Sequence, residues 1–131
     1  MKVHHVGYLI KRMGPAIEMF EQLGFVVEQE TIYDPYRKIN ICFMTNGGER
    51  IELIESAAQD SIVAGLLKKK GIGPYHICYE VPDLKGAIDE LTAAHYFVTD
   101  APEVAVALDN RKVAFLFHSR IGLIEVLEEK K

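Results

Sequence analysis

Residues 5–27, HVGYLIKRMGPAIEMFEQLGFVV, recur without a gap as residues 76–98, HICYEVPDLKGAIDELTAAHYFV. Five positions are identical in the two stretches, among them the first, which is His5 in one and His76 in the other. The sequences that follow also correspond, pairing residues 37–39 with 111–113, Phe43 with Phe117 and residues 51–53 with 124–126. Self-similarity at a fixed offset indicates a repeated structural unit. We therefore interpret the chain as two similar modules.

Each module is predicted to have the order βαβββ. Its helix shows apolar residues at the i, i+3, i+4, i+7 spacing of a one-faced helix, and β-rich runs precede and follow it. The apolar stripes are Met13, Ala16, Ile17, Phe20 and Leu23, and then Leu84, Ala87, Ile88 and Leu91. The predicted strands cover residues 3–10, 25–33, 37–45 and 49–55, and then 75–81, 96–104, 111–117 and 121–127.

The predicted fold class is α+β, with two paired βαβββ modules forming a cup-shaped mixed sheet. We expect a single domain over residues 1–131, with the first module over 1–58 and the second over 73–131. Between them, Asp60-Ser61 is a capping signal for a connecting helix over residues 60–70 that ends at Gly71. The Lys68–Lys70 run in its last turn is either a solvated helix end or a grip on a substrate phosphate or carboxylate.

Composition places the chain among folded single domains. It has 131 residues, of which 49% are hydrophobic and 26% charged, and its net charge is −4. An acidic balance argues against a nucleic-acid partner, and the sequence has neither a long apolar run nor a signal peptide. We expect a cytoplasmic protein without a membrane partner. Cys42 and Cys78 lie in apolar runs and are predicted to be reduced and buried.

The two aligned histidines and two aligned glutamates predict a metal site. Strand alternation places His5 and His76 on the sheet face that points away from the helix of each module. Glu52 and Glu125 lie in apolar runs, where a carboxylate is costly to bury unless a metal or partner compensates it. If the modules pair about a pseudo-two-fold axis, these four side chains converge as ligands of one ion.

Two imidazoles with two carboxylates suit a divalent ion such as Ni²⁺, Co²⁺, Mn²⁺, Fe²⁺ or Zn²⁺, and the lack of a cysteine ligand disfavours a structural zinc site. Such an ion acts as a Lewis acid on oxygen when a proton leaves the carbon beside a carbonyl. One of the two carboxylates, Glu52 or Glu125, is predicted to be the general base, and the other returns the proton.

At these residues the chain resembles the vicinal oxygen chelate superfamily, which contains glyoxalase I, methylmalonyl-CoA epimerase, extradiol dioxygenases and antibiotic-resistance proteins. The resemblance covers nearly the whole chain and is carried by these motifs: His5-Val6-Gly7, Arg50-Ile51-Glu52-Leu53, Asp60-Ser61-Ile62-Val63, residues 75–81, Val113-Ala114-Phe115-Leu116 and Gly122-Leu123-Ile124-Glu125. The resemblance implies the same four metal ligands, His5, Glu52, His76 and Glu125, with Ni²⁺ or Co²⁺ favoured and Zn²⁺ and Mn²⁺ as alternatives.

Within the superfamily, the four-ligand set resembles the glyoxalase I and epimerase branch. We favour glyoxalase I, a lactoylglutathione lyase that converts the hemithioacetal of methylglyoxal to a hydroxyacyl thioester through an enediolate. The alternative is methylmalonyl-CoA epimerase, which the segment 60–70 resembles. Its bacterial members can carry a second base on the third strand, where our alignment places Asn40.

Three further expectations follow from the resemblance. A metal-free module that binds a drug or metabolite is a further alternative, although such modules need no ligand quartet. An extradiol dioxygenase uses two histidines and one glutamate on iron, so the additional acid Glu52 weighs against it. The substrate is expected to be a small thioester or hemithioacetal, and the protein is expected to be a homodimer.

Overall fold

The computed structural model describes all residues of the chain, Met1–Lys131. Its contacts divide the chain into two compact units. The first unit is His5–Tyr75, and the second combines Met1–His4 with His76–Lys131. We describe each unit by itself.

The first unit contains four strands and two helices. In chain order these are β1 (Lys2–Leu9, whose first residues belong to the second unit), α1 (Met13–Gln22), β2 (Val26–Asp34), β3 (Ile39–Asn46), β4 (Glu49–Ser56) and α2 (Ile62–Lys70). The strands lie in the order β2-β3-β4-β1. The β2–β3 and β3–β4 pairs are antiparallel, whereas β1 runs parallel to β4 with Gly7 opposite Glu52.

One face of these strands packs on α1. The buried core there comprises Ile10, Met13, Cys42, Met44, Ile51 and Leu53, with Tyr8, Ala16, Ile17, Phe20, Phe25 and Val27 packed against it. Successive strand residues point to opposite faces, so His5, Gly7, Phe43 and Glu52 lie on the other face. We call this the histidine face of the first unit.

A distant glutamate caps helix α1. The residue before the helix, Arg12, makes no side-chain capping bond. Instead, Oε2 of Glu55 on β4 accepts a hydrogen bond from the backbone N–H of Met13 at 2.7 Å. Its other oxygen, Oε1, accepts one from the Asn40 side chain at 2.8 Å. Helix α2 is capped as predicted, because Oγ of Ser61 accepts a hydrogen bond from the backbone N–H of Ala64 at 3.2 Å.

The second unit repeats this plan. Its elements are β5 (Gly73–Val81, which begins in the first unit), α3 (Leu84–Ala93), β6 (Phe97–Ala105), a single 3₁₀ turn (Val106–Leu108), β7 (Arg111–His118) and β8 (Gly122–Glu128). The strands lie in the order β5-β8-β7-β6, and β5 runs parallel to β8. The core against α3 comprises Val81, Leu84, Ala87, Ala114, Leu116, Ile124 and Val126. The opposite face, the histidine face of the second unit, carries His76, Phe115 and Glu125.

These observations confirm the predicted α+β class and the βαβββ order of both modules. Asp83 stands at the predicted N-cap of α3, but its side chain makes no capping hydrogen bond. Both cysteines are free and buried, as predicted, and desolvation raises the pKa of the Cys42 thiol. None of the helices combines the length and apolar character needed to cross a bilayer.

Candidate metal centre

The first histidine–glutamate pair is formed by neighbouring parallel strands. Glu52 on β4 stands opposite Gly7 on β1, two residues beyond His5. Nε2 of His5 lies 3.4 Å from Oε1 of Glu52. Both residues are buried. An apolar stretch of β4 therefore delivers a buried carboxylate beside a buried imidazole.

Phe43 supports this pair from strand β3. It stands directly opposite Glu52 in the antiparallel register. Its ring meets the His5 ring edge to face, with centroids 5.2 Å apart and planes at 75°. Aromatic rings favour this geometry, and the contact restricts the orientation of the imidazole. His5, Phe43 and Glu52 thus form one packed group.

The second unit contains the same group. Nε2 of His76 lies 3.1 Å from Oε1 of Glu125, and both residues are buried. Phe115 stands opposite Glu125 and meets the His76 ring edge to face, at 5.2 Å and 87°. Phe115 is therefore the counterpart of Phe43. Our alignment of Phe43 with Phe117 was wrong by two residues, as was that of residues 37–39 with 111–113.

The chemistry of each pair fits a divalent ion. Burying a carboxylate is costly unless a positive charge or strong hydrogen bonds compensate it. Neutral imidazole nitrogen and carboxylate oxygen are both ligands of divalent transition metals. The structure thus contains histidine–glutamate clusters that could hold a metal ion. The identity of the ion is not fixed by these donors, since several divalent metals accept them.

Asn40 does not lie where the sequence alignment placed it relative to the site. On β3, Phe43 faces the histidine side, so alternation puts Ile41 on that side and Asn40 on the helix side. The hydrogen bond from Asn40 to Glu55, which caps α1, agrees with this placement. Asn40 is therefore not the residue that replaces a second base, and strand β3 offers Ile41 and Phe43 to the histidine face instead.

The histidine face of the second unit also carries an ion pair that the sequence did not reveal. Nη1 of Arg111 donates a hydrogen bond to Oε2 of Glu80 at 2.7 Å, and the two side chains are 11% and 18% exposed. Burial alone would raise the pKa of Glu80, but the Arg111 hydrogen bond and nearby positive charges outweigh burial and lower it. The corresponding residues of the first unit are Leu9 and Ile39, which are apolar and buried.

The candidate anion-binding cations lie elsewhere. Lys68, Lys69 and Lys70 are exposed in the last turn of α2, and Arg12 and Lys112 are exposed as well. Arg111 is engaged by Glu80 and by the carbonyl oxygen of Leu108. The exposure of the lysine run agrees with its interpretation as a solvated helix end.

Comparison with known proteins reveals one family. Residues 4–115 match the family model described as the glyoxalase/bleomycin resistance protein/dioxygenase superfamily. The ethylmalonyl-CoA/methylmalonyl-CoA epimerase of Cereibacter sphaeroides is 33% identical over 84 residues, which are 63% of either chain. The mitochondrial methylmalonyl-CoA epimerase of Homo sapiens is 25% identical over 122 residues, covering 92% of this chain and 69% of the human protein.

A solved structure extends the similarity to the whole fold. The crystal structure of a hypothetical protein from Bacillus halodurans superposes with a TM-score of 0.87 at 25% sequence identity. The superposition covers 99% of this chain and 95% of the Bacillus chain. Together with the family match, it confirms the predicted glyoxalase-like fold.

Proposed function

Since the chain belongs to the glyoxalase/bleomycin resistance protein/dioxygenase superfamily, we propose that it is a metal-dependent epimerase of an acyl-CoA thioester, of the methylmalonyl-CoA epimerase type. The observation that carries this proposal is the buried histidine–glutamate pair that recurs in each unit at 3.4 Å and 3.1 Å. The pairs supply ligands, and their carboxylates supply proton-transfer groups.

His5, Glu52, His76 and Glu125 are proposed to hold one divalent ion, with Ni²⁺ or Co²⁺ preferred and Zn²⁺ and Mn²⁺ as alternatives. The support is chemical: both pairs are buried, both carry the same two donors, and both lie on the histidine face of their unit. When bound, such an ion stabilises negative charge on a substrate carbonyl oxygen. Phe43 and Phe115 hold the imidazoles in place and exclude water from them.

The two glutamates divide the proton transfer between them. Epimerisation inverts the carbon next to the thioester carbonyl, so a proton leaves one side of that carbon and another arrives on the opposite side. Glu125 and Glu52 come from different modules and provide one carboxylate for each task. Strand β3 supplies only Ile41 and Phe43 to the histidine face beside Glu52, so Glu52 itself is the second acid–base group.

The epimerase is preferred here to glyoxalase I, the activity favoured by the sequence alone. Two relatives with acyl-CoA epimerase names match the chain, one of them over 92% of its length. A thioester of coenzyme A is therefore proposed as the substrate instead of a hemithioacetal. We also propose a homodimer, which light scattering of the metal-loaded protein tests.

The decisive experiment compares the two substrates across a panel of metals. Protein stripped by a chelator is reloaded with Ni²⁺, Co²⁺, Zn²⁺ or Mn²⁺, and conversion of (2S)-methylmalonyl-CoA is followed together with solvent deuterium incorporation at the reacting carbon. The hemithioacetal of methylglyoxal and glutathione is assayed in parallel. We expect metal-dependent exchange with the CoA thioester.

The opposing outcomes are distinct. Turnover of the hemithioacetal alone would return the assignment to glyoxalase I. A protein that binds no stoichiometric ion and holds an aromatic ligand tightly would instead be a metal-free binding module. His5→Gln and His76→Gln provide a readout besides activity, because each variant should bind the ion more weakly than the wild type.

A further inference from the structure

An apolar surface continues the histidine face of the second unit. Phe117 lies two residues beyond Phe115 on β7 and therefore points to the same side of the sheet. Phe97 on β6 and Leu123 on β8 stand directly opposite Phe117. Phe97 is 67% exposed and Phe117 is 40% exposed. We call Phe97, Phe117 and Leu123 the aromatic wall.

The first unit lacks this surface. Glu52 and Phe43 there correspond to Glu125 and Phe115, so the same steps along the strands lead to Val26, Thr45 and Arg50. Arg50 is paired with Glu28, with Nε 2.8 Å from Oε1. The βαβββ module therefore folds without an aromatic wall, and the exposed rings of the second unit are not a requirement of its architecture.

Exposed aromatic rings that adjoin a buried polar site point to a ligand. Large exposed apolar groups that form a contiguous surface mark binding sites more often than chance exposure does. The wall begins about 7 Å along the strand from Phe115, at about 3.4 Å per residue, and Phe115 touches the His76 ring. A group bound on the wall is thus attached to whatever reacts beside His76 and Glu125.

We infer that Phe97 and Phe117 form the subsite for an alkyl substituent on the reacting carbon of the substrate. This inference rests on the proposed function. The reacting carbon of an epimerase substrate carries polar carbonyl groups and one further substituent, and only the latter gains from contact with aromatic rings. A methyl group is too short to reach a surface one strand step away, so the subsite selects thioesters with a longer alkyl branch.

The test is a chain-length series. The value of kcat/KM is measured for malonyl-CoA thioesters that carry a methyl, ethyl, propyl or butyl group on the reacting carbon. Each methylene buried against the wall is worth about 0.8 kcal/mol, or about fourfold. For the wild type we expect kcat/KM to rise by up to about fourfold with each added carbon. Phe117→Ser and Phe97→Ser should flatten this rise while leaving metal binding intact.

Val98→Ser is the matched control. Val98 is 41% exposed, close to the exposure of Phe117, but it pairs with Leu116 and so lies on the helix side of the sheet. This variant should keep the wild-type slope. Phe117→Leu, which retains an apolar group, should keep most of it. Because Phe97 and Phe117 are exposed, their truncation opens no core cavity, and circular dichroism checks the fold.

Several outcomes would overturn the inference. One is a wild-type rate that does not rise with chain length, and another is a Phe117→Ser variant with an unchanged slope. A uniform loss that disappears when coenzyme A is replaced by a truncated thiol would assign the wall to the thioester arm, and dissociation of a dimer in the serine variants would assign it to a second copy of the chain. Failure of the wild type on every thioester would instead refute the proposed function.

Discussion

The carboxylate of Glu55 caps a helix that begins forty-two residues earlier, where its Oε2 atom accepts a 2.7 Å hydrogen bond from the backbone N–H of Met13. The first N–H groups of a helix have no partner within it, and a negative charge at this end is favoured by the helix dipole. Glu55 also holds the Asn40 side chain. One residue thus ties β3, β4 and α1 together.

Glu55→Ala should destabilise the fold by about 1–2 kcal/mol, the usual cost of losing a helix cap. Urea unfolding measures this as a lower midpoint at unchanged slope. Glu49→Ala is the control, because Glu49 lies at the exposed start of the same strand. Equal stability of the two variants would show that Glu55 contributes nothing as a cap.

Glu125→Gln should lower turnover by about 10²–10⁴-fold, since an amide can neither accept nor return the proton. The fold should persist because glutamine has nearly the same shape. Turnover and circular dichroism are measured together, with Glu129→Gln, a change at an exposed position on the same segment, as the control. Turnover by Glu125→Gln at the wild-type rate would exclude Glu125 from the chemistry.

Phe115→Leu should weaken metal binding by about 10-fold or more, because residues that orient a ligand typically contribute this much to affinity. The ring of Phe115 faces His76 edge on, and leucine removes that constraint while remaining apolar. Competition with a chelating dye measures the affinity. Phe117→Leu changes the next exposed aromatic residue on the same face and should retain wild-type metal affinity; an equal loss in both variants would contradict a specific role for Phe115.

The Glu80–Arg111 pair should make stability depend on pH. The pKa of Glu80 is lowered in the folded protein from its ordinary value of 4.5, so the stabilisation is fully present above pH 4.5 and is lost as the pH falls through the folded value. Glu80→Gln should therefore be less stable than the wild type at pH 7, by about 1–3 kcal/mol. The two proteins should converge in acid.

Urea midpoints of wild type and Glu80→Gln, measured from neutral to acidic pH, provide the comparison. Glu90→Gln on the exposed side of α3 serves as the control and should follow the wild type throughout. A stability gap between Glu80→Gln and the wild type that stays constant into acid would mean that the charge of Glu80 is not what stabilises the fold.

The sequence was sufficient for the repeat, the element order and the sides on which His5 and His76 lie. It failed where strand positions differ by one or two residues. A two-residue slip preserves the alternation of a strand, so hydrophobic pattern could not distinguish Phe115 from Phe117 as the partner of Phe43. A one-residue error reverses the face, which is why Asn40 was placed at the site although it lies beside α1.

Long-range polar contacts were also beyond sequence reasoning. Glu55 was interpreted only as the end of a strand, because its cap lies on an element far away in the chain. The Glu80–Arg111 pair spans thirty-one residues, and no local pattern links them. Such contacts follow from strand register, which the pairing of strands sets after the chain has folded.

The contrast between Glu80–Arg111 and their apolar counterparts Leu9 and Ile39 constrains the ancestry of the two halves. If both descend from one ancestral gene segment, an acid and a base were exchanged with two aliphatic residues in one lineage. An intermediate with only one charge buried would have been destabilised by about 3–5 kcal/mol, a large share of a small domain's total stability. The two mutations therefore had to be fixed nearly together, or after other changes had provided a reserve of stability.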